Sequence, residues 1–352
     1  MLLFAGCYTQ EGGEGIYSLG FNPRCKKFTL ISLAQNTVNP SYFNLHEECL
    51  YAVNELPQGG GLDAYHVSAR GVLQKLNHVN TAGSALCHLS VAKNGGLLFA
   101  ANYLSGDVEA YGLLPNGKIG EQLSKYRHSG SGPVAQRQAA PHAHSLTPDG
   151  MDRFAIAADL GTDQLLVYKI MGPGRGMAPC PEQTVVLPPG EGPRHVVFSA
   201  NNKNVYLCTE LGNHVIALAY NGHTGGLQIK QRLPLFEAAS GQENFAADIH
   251  LSPDGRFLYV SVRGSNRLVC FSVDTEGALL RVGDASAGGL WPRSFAISPC
   301  GDWIFVANEH SGNVAAIPRN RQSGLPEAVV ATFPIPKVSC VKISSKMEAG
   351  AE

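Results

Sequence analysis

The sequence predicts an all-β fold, a seven-bladed β-propeller closed by pairing of its N- and C-terminal strands. Three observations predict it. A unit of short apolar strands separated by polar turns recurs six times, at offsets of roughly forty to fifty-five residues. The 40 glycines and 21 prolines are spread along the chain rather than gathered in one tract, as many short strands joined by turns require. The two termini carry complementary fragments of a seventh unit. A length of 352 residues would suggest two or three domains, but all-β rings run long as one. The expectation is a single domain over 1–345 and a short tail at 346–352.

The clearest unit is DIHLSPDGRFLYVSVRGSNRLVCFSVDTEGAL, from Asp248. A first apolar strand meets the turn Ser252-Pro253-Asp254-Gly255, in which Pro fixes φ and Gly accepts a positive φ. A second strand follows over Phe257 to Val262, then a polar turn, a third strand over Arg267 to Val273, and a weaker fourth. Copies begin near Tyr42, Leu86, Pro141, Pro193 and Pro292. Four strands at this period are the signature of a propeller blade. MLLFAGCYTQ, GIYSLGFN and KFTLISL read as strands two to four of a blade that lacks its first, and Lys337 to Ser344 reads as a first strand without followers. Pairing the two closes the ring and removes its open edges.

Composition narrows the function. Apolar residues make up 44% and charged residues 16%, enough to bury a large core. A formal net charge of −1 gives no overall electrostatic case for nucleic acid or membrane. Nine cysteines, none in a C-x-x-C pair, sit singly among apolar residues and read as reduced core thiols. The start lacks a basic n-region, and its apolar run is short for a signal peptide or span. A soluble, cytoplasmic protein is expected, monomeric or weakly homo-oligomeric.

In a blade the second strand runs antiparallel to the first, so the start of strand one and the end of strand two meet at one mouth. The starts carry His88, His142, His144, Arg194, His195, Asp248, His250 and Arg293. The ends carry Asn54, Glu55, Asn102, Asp159, Glu210, Arg263, Asn308 and Glu309. The turns at the opposite mouth have plain Pro-Asp-Gly or Asn-Gly chemistry. One face therefore gathers the arginines, histidines and carboxylates, an arrangement able to bind an anion and hold a general base. In Gly190-Glu191-Gly192-Pro193-Arg194-His195, Arg194 is expected to point into this funnel in preference to His195. His142 and His144 form an H-x-H pair that a regular strand would place on one face. Zinc needs further ligands, and none stands at motif spacing, so no metal is expected. Trp291 and Trp303 are expected between blades or over a rim. No G-x-G-x-x-G opening a helix, P-loop or G-x-S-x-G elbow is present, so no nucleotide or other cofactor is expected.

Four blocks carry a family resemblance: Gly190 to His195, Thr209-Glu210-Leu211, AADIHLSPDGRFLY from Ala246, and Pro292-Arg293-Ser294-Phe295. The chain resembles, over essentially its whole length, the seven-bladed propeller lactonases. That family includes propeller-type 6-phosphogluconolactonases and the fungal carboxy-cis,cis-muconate cyclase. Thr209 departs from the Asn often found before the glutamate, and blade 1 is degenerate at PQGGGLDAY. The resemblance implies a site of His144 (or His142), Arg194, Glu210 and an arginine of the next blade, Arg263, with Arg267 and Arg293 as competitors for that role. The expected chemistry is lactone hydrolysis, 6-phosphogluconolactone foremost. Glu210 would act as general base on water, Arg194 with His144 would stabilise the oxyanion, and Arg263 and Arg293 would hold the anionic group of a small lactone. His142, His195, Asp248, His250 and Glu309 complete the expected substrate contacts. A carboxymuconate-lactone cyclase or hydrolase, or a non-catalytic ligand-binding propeller, are the alternatives.

Overall fold

The repeat grammar becomes seven antiparallel sheets. The structure, a computed structural model, describes residues 1–236 and 243–344; the expected tail at 346–352 lies outside them. Counting from the first complete repeat, blade 1 has strands Phe43–His46, Cys49–Asn54, Gly61–Val67 and Leu73–Asn80. Blades 2 to 6 span 86–127, 143–186, 193–234, 245–286 and 292–334. The closing blade takes Val338–Ile343 from the C-terminus and Leu2–Cys7, Ile16–Asn22 and Lys27–Ala34 from the N-terminus. Leu3 pairs with Ile343 and Gly6 with Cys340, so the ring closes by main-chain hydrogen bonds, as expected.

Burial peaks at the second strands and falls outward from them. Second strands such as Leu97–Asn102 and Phe257–Arg263 are buried throughout, whereas fourth strands such as Lys27–Ala34 face water along much of their length. Inner strands therefore read as continuous apolar runs: both faces are covered by neighbouring blades. Among the described residues seven apolar clusters form, one at each seam. Leu3, Phe21 and Phe305 join the closing blade to blade 6, and Ile156, Val205 and Leu207 join blades 3 and 4. Trp303 packs edge-on against Phe21 in the first of these seams. The Pro-Asp-Gly turn behaves as its residues dictate: Gly255 has φ +68° and its amide donates to the Ser252 carbonyl at 2.8 Å.

Blade 3 departs from the four-strand unit. Its fourth strand is cut to Gly176–Pro179, and a two-residue strand, Val185–Val186, pairs with the third strand further along. Pro179 and Pro181 lack the amides a continuous strand would need.

Candidate active site

A shared irregularity builds the site. In five blades the pairing of strands one and two skips near the mouth. Register shifts fall between Leu86 and His88, Ala143 and Ser145, Pro193 and His195, Ala246 and Ile249, and Pro292 and Ser294. The closing blade skips between Cys340 and Val338. The unpaired residues are Cys87, His144, Arg194, Ala247 with Asp248, Arg293 and Ser339. A bulge bends the strand and re-aims its side chains, so neighbours that a flat strand would send to opposite faces share the channel. Arg194 and His195 show this: Arg194 Nη1 lies 3.3 Å from His195 Nε2. Both residues line the same cavity, so the preference expected for Arg194 over His195 gives way to a shared position.

The approach to Arg194 is set by its glycines. Gly190 and Gly192 have φ of +84° and +58°, and their amides donate to the two oxygens of Asp163, each at 2.7 Å. A Cβ on Gly192 would lie 2.6 Å from Leu211 Cγ. Asp163 also accepts from Gln138 Nε2 at 2.7 Å, which ties the blade 2–3 connection to the same turn.

Three guanidinium groups converge on Glu210. Arg137 Nη2 is 2.6 Å from Oε1; Arg194 Nε and Arg263 Nη2 are 3.1 and 2.8 Å from Oε2. His144 Nε2 lies 3.9 Å from the same oxygen. Burial alone would raise the Glu210 carboxyl, but Arg263, Arg194 and Arg137 outweigh it and hold the group well below the ordinary carboxylate range. Arg263 is lowered to about 10, first by burial and also by Arg194 and Arg293, with Glu210 opposing. It donates to the Phe245 and Ala246 carbonyls, and its guanidinium lies 5.5 Å from the Trp291 ring centre, which covers the rim as expected. Arg267 is excluded as the clamp, because it pairs with Asp284 at the outer strands of blade 5.

Deeper in the channel, His195 Nδ1 meets Asp248 Oδ1 at 3.0 Å, and His250 Nε2 meets Oδ2 at 3.1 Å. Ionised Asp248 only accepts, so His195 carries its proton on Nδ1 and keeps the Nε2 lone pair toward Arg194. The rings of His88, His144 and His195 pack edge-on, with centres 5.3 and 5.4 Å apart, and Tyr42 lies 4.6 Å from His88. Burial, and then neighbouring charge, lowers all three histidines: His195 to about 4, His88 and His144 well below their usual value. They are buried neutral. Their sign is shared: the unfolded chain binds protons that the folded chain refuses, so stability falls as pH drops from about 6.5 toward 4. For His195 alone the loss is on the order of 3 kcal/mol. The expected result is a urea midpoint that falls markedly between pH 7.5 and 5; a flat midpoint would contradict buried neutral rings.

Two expected contacts move. A strand that began at Asp248 would place His250 at the mouth. The strand begins at Phe245, so His250 lies near its far end, beyond Asp248 from His195. His142 precedes its strand, because the skip in register falls at His144. It stacks on Tyr103 at 4.4 Å and bonds the Tyr103 carbonyl through Nδ1, while His144 meets the same ring edge-on.

The remaining sector is built on Arg293. Its Nη2 donates to Tyr8 Oη at 2.7 Å, and Nη1 lies 3.7 Å from Glu309 Oε2. Tyr8 donates to Glu55 Oε2 at 3.0 Å, and Ser41 also donates there. A small cavity is lined by Ser41, Glu55, Arg194, His195, Arg293 and Ser339, among others.

Arg137 had no signal in the sequence. It lies in the connection between blades 2 and 3, outside any strand, and reaches Glu210 from there. Tyr8 and Tyr103 did have one, since each directly follows a second strand, the register of Glu210. No cluster of three or more His, Cys, Asp or Glu suited to a metal occurs among the described residues, and none of their helices is long and apolar enough to cross a membrane.

Comparison with known proteins places this architecture. The family described as "Lactonase, 7-bladed beta-propeller" matches residues 2–343. The 6-phosphogluconolactonase of Bacillus subtilis (strain 168) is 33% identical over 345 residues, covering 96% of this chain and 97% of that protein. The 6-phosphogluconolactonase of Formosa agariphila is 31% identical, covering 93% and 96%. The solved periplasmic gluconolactonase of Pseudomonas aeruginosa superposes with a TM-score of 0.91 at 31% identity, covering 97% of this chain and 98% of that one. The chain belongs to the seven-bladed β-propeller lactonases, a family of lactone hydrolases.

Proposed function

We propose that the protein hydrolyses a small polyhydroxylated lactone, with 6-phosphogluconolactone the first substrate to test, at the mouth where Arg137, Arg194 and Arg263 surround Glu210. That convergence carries the reading. Glu210 is ionised across the neutral range, yet its pairing makes it a weak base while the site is empty. A substrate that engages the guanidinium groups through its carbonyl and anionic oxygens draws them from Glu210. The basicity of the carboxylate then rises beside the carbonyl it must help water to attack. Arg194, with neutral His144 as a second donor, stabilises the oxyanion that develops, a role worth about 3–4 kcal/mol per well-placed donor. Arg263 holds the anionic group by charge-assisted hydrogen bonds. The bond broken is the acyl C–O of the ring; water supplies the hydroxyl of the acid and the proton of the ring-opened alcohol.

The names of the relatives support this substrate class. A cytoplasmic location is supported by nine free cysteines, five of them buried. Arg137, on a connecting segment and partly exposed, is expected to aid binding more than chemistry. Arg137→Ala should raise KM for the phosphorylated lactone on the order of tenfold with a smaller change in kcat, measured by initial rates. An equal loss in kcat would place Arg137 in the transition state instead.

The experiment is a proton-release assay on freshly made 6-phosphogluconolactone, gluconolactone and a carboxymuconolactone. Acceleration of the first two over the spontaneous rate supports the proposal. Activity on the muconolactone alone would favour the cyclase reading, and no acceleration of any would favour a binding protein.

A further inference from the structure

The mouth holds a second Arg–Glu pair in the register of the first. Arg194 is the bulge residue of blade 4, and Glu210 directly follows its second strand. Arg293 and Glu309 occupy the same two positions in blade 6. Around the ring, the position of Glu210 is filled by Glu55 in blade 1 and by Tyr8 in the closing blade.

The two pairs differ in what surrounds them. Three guanidinium groups meet the single carboxylate Glu210, which leaves that side of the mouth positive. Arg293 stands among Glu309, Glu55 and Tyr8, which leaves its side negative. Arg293 is therefore already neutralised and is a poor seat for phosphate, contrary to the anion-clamp role expected from the sequence. Glu309 points to what the sector does bind. It is 9% exposed, and its Oε2 makes no hydrogen bond, although it faces Arg293. A buried carboxylate oxygen without a donor is costly unless a ligand supplies one. Glu55, Arg293 and Ser41 line the cavity that reaches Arg194 and His195.

We infer that Tyr8, Glu55, Arg293 and Glu309 form a hydroxyl-reading subsite that binds the polyol face of the substrate while its carbonyl lies at Arg194 and Glu210. Carboxylates accept from sugar hydroxyls in charge-assisted hydrogen bonds, and Arg293 presents donors to the same hydroxyl oxygens, while Tyr8 holds Glu55 and Arg293 in place. The opposed charges orient the lactone, with its anionic or electrophilic end toward blades 3 to 5 and its hydroxyls toward blade 6, the closing blade and blade 1. The inference rests on the lactone-hydrolase reading for the position of the carbonyl.

The test compares glucono-δ-lactone with δ-valerolactone, the same ring without hydroxyls, each rate divided by its spontaneous rate. The native protein is expected to favour the sugar lactone in kcat/KM on the order of a hundredfold or more. Glu309→Gln and Glu55→Gln are each expected to cut that preference about tenfold. A preference unchanged in both variants would overturn the subsite. Should the native protein turn over neither lactone, calorimetry with gluconate tests the subsite separately. A Kd weakened about tenfold by Glu309→Gln supports it. Equal affinities, or no binding to the native chain, overturn it, whereas failure on every lactone counts against the enzyme reading.

Discussion

Glu210→Gln is expected to lower kcat on the proposed lactone substrate by on the order of a hundredfold or more. The amide keeps the shape of the side chain but removes the charge and the basic lone pairs. Two losses combine. Water loses its proton acceptor, and Arg137, Arg194 and Arg263 lose the carboxylate that holds them 2.6 to 3.1 Å away. Arg194 and Arg263 are buried, so their charges are then poorly compensated, and the variant should also unfold at lower temperature than the native protein. Inorganic phosphate should restore more of that stability in the variant than in the native chain, because the anion can replace the missing charge. The pair of measurements separates chemistry from folding. Turnover within about twofold of native would remove Glu210 from the mechanism, whatever the thermal result.

Ending the chain at Pro336 is expected to abolish the cooperative fold. The truncation removes Val338–Ile343, the innermost strand of the closing blade, with Val338, Cys340 and Val341 fully buried. Each such side chain contributes roughly 1.5–3 kcal/mol on burial, so about 5 kcal/mol or more is lost before hydrogen bonds are counted. That approaches the whole stability of an ordinary domain. It also exposes the Leu2–Cys7 edge, whose free amides and carbonyls invite pairing with another chain. The expected readout is loss of the sigmoidal urea transition, with aggregation during purification. A chain ending at Ser344 is the control. A cooperative transition in the shorter chain would show that the ring does not depend on this closure.

The architecture was legible because its marks are local. Ser-Pro-Asp-Gly sets a turn through φ alone, and continuous apolar runs mark strands covered on both sides, so the repeats and the divided closing blade could be read directly. Arg194, Glu210, Arg263, Arg293 and Glu309 could be assigned to one mouth because strand direction decides it. The bulges could not be read. One unpaired residue changes where Arg194, His195 and His144 point, yet leaves no compositional trace. The same blindness put His250 at the mouth, since apolar residues preceding Asp248 hid the true start of the strand at Phe245. Arg137 escaped notice because a connecting segment has no register from which to project a side chain. The pairing of Arg293 with Glu309 and Tyr8, which changes its role, depends on contacts between blades that are hundreds of residues apart in the chain.

The most direct measurement is a crystal structure of the protein soaked with 6-phosphogluconate, the ring-opened product of the proposed substrate. The product carboxylate is expected within hydrogen-bond distance of Arg194, with its hydroxyls against Glu55 and Glu309. Product bound at the far end of the first strands, beside His250, or on an outer strand away from the channel, would contradict it.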